Sequence, residues 1–193
     1  TDGRELVTPE RPRPRGLLRR FFARWPEVGE RGRDSIVRLW DLGHELKHVR
    51  IRAHREPVTS VCFSPDGSFI ATSSPDGTAR ISDAAAGWQL HLLTGHTSAV
   101  WSAVFSPDGR QIVTAGEDGI ARLWETSTAT ELRSFGKPSA PIGSIAFSPD
   151  GQRIVTGARN GTIQVWDATN GAERLRACFK IAWGPAARDF GCG

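Results

Sequence analysis

FSPDG occupies residues 63–67, recurs at 105–109 and returns at 147–151, in step at a spacing of 42 residues. The pentapeptide is a turn with a mechanism. Proline presets φ at the second position of a type I turn, Asp suits the third, and Gly takes the left-handed backbone that reverses one strand into the next. Read as strand, turn and strand, VTSVCFSPDGSFIATSS at 58–74 has two arms rich in β-branched and aromatic residues. VWSAVFSPDGRQIVTAG and IGSIAFSPDGQRIVTGA are its copies. They agree on apolarity at Val58, Val100 and Ile142, on Ser60, Ser102 and Ser144, and on Ile70, Ile112 and Ile154.

The period runs beyond the turn. IVRLWD, TARISD, IARLWE and TIQVWD end at Asp41, Asp83, Glu125 and Asp167, again in register. Before each lies a tight turn, at Asp34, Asp76, Asp118 and Asn160, with glycine following in the last three. A period of 40–45 residues carrying about four short strands is the mark of one propeller blade.

The endings RLWD and VWD, with Gly95-His96 opening a repeat, resemble the WD-repeat β-propeller family over about residues 34–175. The near-identical repeats are similar to its bacterial members. The resemblance implies an all-β chain of four-stranded antiparallel blades, with about four blades represented in an incomplete ring; a closed four-bladed ring is the other reading of the length. It also implies a hydrogen-bonded tetrad in each blade, made of His, Ser or Thr, Asp and Trp. His96, Thr114, Asp118 and Trp124 supply all four. His54, Thr72 and Asp76 form a partial set, with Ser82 in the tryptophan place. Thr156 and Trp166 form another, with Asn160 for Asp and Pro138 for His. At the amino end Asp34, Trp40 and Thr8 are the candidates. Propellers of this family mostly present loops and a channel rim to partner proteins and lack catalytic residues, so a non-catalytic interaction scaffold, within a larger signalling protein, is the function implied.

Two segments break the period. TDGRELVT at 1–8 resembles PDGSFIAT at 65–72 and reads as the end of a truncated first blade. Residues 9–33 read as an Arg/Pro-rich insertion, 34–175 as blades, and 176–193 as an off-pattern tail; the whole reads as a fragment. Residues 9–33 carry eight arginines against three glutamates, so this segment holds +5 of a chain whose net charge is +4. Arg11, Arg13, Arg15, Arg19, Arg20 and Arg24, interleaved with Phe21, Phe22 and Trp25, are candidate polyanion contacts, and RNA binding is the alternative function. Pro12, Pro14 and Pro26 discourage a continuous helix, which leaves Leu17–Trp25 as a short amphipathic helix formed on an acidic surface.

Other chemistry finds little support. His96, Thr114 and Asp118 have the types of a catalytic triad, but their types recur at the repeat period, which assigns them to packing. His44 and His48 sit in a polar link of a β repeat rather than on a helix, and Asp189-Phe190-Gly191 lacks the companions of a kinase motif. No phosphate-binding glycine loop, nucleophile elbow or HExxH occurs. The expectation is no cofactor, no metal and no small-molecule substrate, with protein partners. No apolar run approaches 18 residues. Three cysteines argue against a disulfide framework: Cys62 takes a small core position, Cys178 and Cys192 fall in the tail, and a cytoplasmic location is inferred.

Overall fold

The computed structural model describes residues 20–22, 35–40, 48–137 and 140–178, and among these every regular element is a strand. The first sheet holds β1 (Arg20–Phe22), β2 (Ile36–Trp40) and β3 (His48–Arg52). The second holds β4 (Ser60–Phe63), β5 (Phe69–Ser73), β6 (Thr78–Asp83) and β7 (Gln89–Thr94). The third holds β8 (Val100–Phe105), β9 (Gln111–Gly116), β10 (Ala121–Glu125) and β11 (Glu131–Phe135). The fourth holds β12 (Ile142–Phe147), β13 (Arg153–Ala158), β14 (Thr162–Asp167) and β15 (Glu173–Cys178). Strands follow one another in sequence order across each sheet and pair antiparallel, as hairpin-connected strands must.

The three FSPDG turns are built alike. Gly67 N–H donates to Ser64 O at 2.9 Å, with φ of 73° at Gly67, and the Ser64 hydroxyl donates to Asp66 while accepting from Phe69 N–H at 2.9 Å. Ser106 and Asp108, then Ser148 and Asp150, repeat these bonds. The serine and aspartate hold a turn whose backbone groups face solvent.

Neighbouring sheets meet face to face, because strand alternation gives each sheet two apolar faces. Ala71, Ile81 and Leu93 of the second sheet pack on Val100, Ile112 and Trp124 of the third. Val113, Leu123 and Phe135, on the opposite face of the third, pack on Ile145, Ile154 and Trp166 of the fourth. The first strands β4, β8 and β12 lie next to one another, which places them on the inside of the arc. The four sheets form an incomplete propeller among the described residues. Where Val113 is fully covered, its equivalent Val155 is 37% exposed, since no described sheet covers the outer face of the fourth.

Two expectations change. Arg20–Phe22, inside the segment read as a projecting insertion loop, form a strand, with Phe22 opposite Arg38. In the second sheet Thr72 opposes Arg80, so Arg20–Phe22 fill the register place that the sequence gives to Leu6–Thr8. Two adjacent aromatic residues suit a strand, and β2 gains a partner for its backbone groups. Residues 1–8 and the rest of 9–33 lie outside the described residues. At the other end, Arg176–Cys178 belong to β15, so the last blade runs past Leu175 into what the sequence reads as tail; 179–193 lie outside the described residues. Cys62 is a free, half-buried thiol that burial shifts to a higher pKa.

Candidate functional site

The third sheet assembles the full tetrad from four different strands or links. Gly95, with φ of 157°, delivers His96 across the top of the sheet; a Cβ there would stand 3.3 Å from the Trp124 ring, so only glycine leaves the indole its place. Thr114 and Trp124 are carried by β9 and β10, and Asp118 sits in the turn between them. Trp124 Nε1–H donates to Thr114 Oγ1 at 2.9 Å, Thr114 Oγ1 lies 2.8 Å from His96 Nε2, and His96 Nδ1 lies 2.9 Å from Asp118 Oδ2.

The donors fix the proton positions. Indole N–H only donates, so Thr114 accepts from it and gives its own proton to Nε2; the carboxylate only accepts, so Nδ1 carries the hydrogen. Each of the four side chains then has its hydrogen-bond partner, the condition under which a buried network stabilises. Burial lowers the His96 pKa, against the pull of Asp118, and holds the ring neutral. Thr114 has no exposed surface. As a nucleophile it would be out of reach of any substrate.

The second sheet holds the first partial set. His54 Nε2 lies 2.8 Å from Thr72 Oγ1 and its Nδ1 lies 3.0 Å from Asp76, while Ser82 is buried opposite Ile70 and brings no indole to Thr72. Thr78 joins the other end of the set: its hydroxyl donates to Asp76 Oδ1 at 2.6 Å and lies 3.2 Å from His54 Nδ1. Burial lowers the His54 pKa as well. Ala53 stands here in the place of Gly95, because without the indole a methyl fits. In the fourth sheet Trp166 Nε1–H donates to Thr156 Oγ1 at 3.1 Å, and Asn160 Oδ1 accepts from Thr162 N–H at 3.0 Å without joining them.

Pro138, Asp34, Thr8, His44, Arg11, Arg13, Arg15, Arg19 and Arg24 lie outside the described residues, as does the Asp189-Phe190-Gly191 run. Trp40, Arg20 and His48 lie in described strands whose side chains there are not.

A second cluster was missed by the sequence reading. β8 bulges between Val100 and Ser102, and the extra residue is Trp101. Bulges re-aim side chains. Trp101 Nε1–H donates to Glu117 Oε2 at 2.6 Å, and Arg159 of the fourth sheet places its guanidinium 4.8 Å from the ring centroid, with Nη1 3.4 Å from Glu117 Oε2. Glu117 and Arg159 immediately precede the turns at Asp118 and Asn160, so the cluster stands at the tetrad end of the arc. The available signal was a large aromatic at 101, where the copies have Thr59 and Gly143.

Comparison with known proteins agrees with this geometry. The family model described as "WD domain, G-beta repeat" matches residues 45–83, 87–125 and 129–167, together more than half of the chain. Each match takes the outer strand of one sheet with the three inner strands of the next, so every repeat ties two blades together. The guanine nucleotide-binding protein subunit beta of Zea mays is 43% identical over 60 residues, 31% of this chain and 16% of the relative. Coronin-7 of Rattus norvegicus is 36% identical over 50 residues, 26% of this chain and 5% of the relative. The small ribosomal subunit protein RACK1 of Caenorhabditis elegans is 34% identical over 70 residues, 36% of this chain and 22% of the relative. The matched stretch thus spans under a quarter of each of these proteins. With three in-register repeats, a complete tetrad and stacked four-stranded sheets, the chain belongs to the WD40 repeat family of β-propellers.

Proposed function

We propose that the chain is a non-catalytic platform that binds protein partners at the tetrad end of the arc, as part of a larger signalling protein. The Trp101–Glu117–Arg159 cluster carries this reading. Arg159 and Glu117 are 55% and 36% exposed, and an ion pair so exposed adds little stability, so packing alone does not account for the arrangement. A pre-set tryptophan under an arginine is the composition of an interface anchor, where a few aromatic and Arg residues supply most of the binding energy. The tetrads support the reading differently: their ionisable groups are all engaged in joining strands. Relatives named as a subunit of a guanine nucleotide-binding protein and as a small ribosomal subunit protein fit a repeat module that works inside assemblies.

The test is quantitative affinity capture with the intact chain against a W101A/R159A double variant, checked by thermal melting. The reading predicts that specifically captured proteins fall at least tenfold while the melt is retained. Equal capture by both chains would remove this surface from the account.

A further inference from the structure

A cavity of about 740 Å³ opens between the second and third sheets, at the end opposite the tetrads, with Phe69, Ile81 and Leu90 on one wall and Glu125, Thr126 and Ser127 on the other. Its origin lies in the repeat. At the matching junction between the third and fourth sheets, Arg133 reaches across and donates to Thr169 O at 2.7 Å and to Asn170 O at 3.1 Å, closing the notch. The register equivalent of Arg133 at the open junction is His91, whose side chain is too short to do this.

The facing turn departs from its copies at three places. Asp83 and Asp167 cap their turns by accepting from two backbone N–H groups each. Glu125 replaces them; the longer side chain lines the cavity and takes the Ser127 hydroxyl at 3.4 Å in place of that backbone cap. Thr126 replaces Ala84 and Ala168; it is 7% exposed, and its hydroxyl has no hydrogen-bond partner among the described residues. Ala129 replaces Gly87 and Gly171 and holds φ of 57°, a strained value for a residue with a side chain. A Cβ at Gly171 would meet Arg133 Cδ at 2.9 Å, so the Ala129 methyl stands where the stem of a resident arginine would pass. The turn thus excludes a built-in arginine while keeping a carboxylate, an unpaired hydroxyl and the carbonyls of Ser127 and Thr128.

We infer that this notch is a socket for an arginine side chain of a partner polypeptide, entering from solvent into the place that Arg133 fills one blade later. The guanidinium would meet the Glu125 carboxylate and the turn carbonyls, the geometry that a planar five-donor fork suits better than an ammonium. The alkyl stem would lie on Phe69 and Leu90. Arg110 stands at the mouth as a like charge and weakens the guest. The socket deepens the platform reading by naming the chemistry of one contact, and it lies away from Trp101, so each can fail alone.

The experiment uses the full chain and the peptide Gly-Ser-Arg-Ser-Gly, amidated and acetylated, with lysine and citrulline versions, followed by amide chemical shifts in NMR titration. The arginine peptide is expected to shift Glu125, Thr126 and Ser127, with lysine several-fold weaker and citrulline at least tenfold weaker. The double variant H91R/A129G, which copies the closed junction, and the single variant E125Q are each expected to lose the arginine peptide at least tenfold; Arg110→Gln, which copies Gln152, strengthens it. H91R/A129G adopts a packing already present in the chain, and E125Q changes no shape, so a folded variant is secured for the comparison. No shifts at the notch, equal binding of citrulline, or unchanged binding by folded H91R/A129G would each overturn the socket.

Discussion

Replacing Trp124 with alanine is expected to cost about 3–5 kcal/mol of folding stability, the range for deleting a buried aromatic. The indole is 3% exposed, packs with Ile81, Leu93 and Ile112 between the second and third sheets, and gives its N–H to Thr114. No smaller side chain reaches that hydroxyl while filling the space against Gly95. The matching Trp166→Ala should cost less, because Trp166 is 7% exposed and sits in a sheet covered on one face alone by described neighbours. Urea denaturation of the two variants measures the difference. Equal and small losses would mean that the indoles fill space loosely.

Asp118→Ala is expected to cost about 1–3 kcal/mol, the penalty of stranding a buried donor, here Nδ1–H of His96. Asp76→Ala should cost less. In the second sheet the Thr78 hydroxyl already lies 3.2 Å from His54 Nδ1 and can accept the Nδ1–H hydrogen bond that Asp76 no longer takes, while Ile120 at the same place in the third sheet offers nothing. The double variant D76A/T78V removes that substitute and should approach the cost of Asp118→Ala. A loss for Asp76→Ala equal to that for Asp118→Ala would show that Thr78 provides no support.

The blades were legible because their determinants are local and repeated. FSPDG sets a turn, the alternation around it sets two faces, and a 42-residue step copies both, so errors in one copy are corrected by the others. The complete tetrad was legible for the same reason. What escaped detection were the departures from the repeat. Trp101, Thr126 and Ala129 look like ordinary surface variation until the structure shows that a bulge aims the first beside Arg159, that the second is buried without a partner among the described residues, and that the third holds a positive φ. Arg20–Phe22 escaped for another reason: strand pairing is decided by register with β2, and composition alone marked the arginines as solvated. His91 carries the open notch, yet its meaning depends on what Arg133 does one blade away.

The central claim is that the His, Thr, Asp and Trp groups pin strands and perform no proton chemistry. It is tested most directly by a nitrogen-15 long-range NMR titration of His96 in the folded chain. The bonding order from indole to carboxylate predicts a neutral ring with hydrogen on Nδ1, and burial lowers its pKa, so that state should persist below pH 6.5. The linkage sign follows. A histidine whose folded pKa is lowered takes up its proton more readily in the unfolded chain, so its contribution is complete above about pH 6.5 and declines as the pH falls through the folded value. An Nδ1–H tautomer that outlasts pH 6.5, with stability falling on the acid side, is the predicted result. A ring hydrogen on Nε2, or a free titration at the value of exposed histidine, would contradict the account.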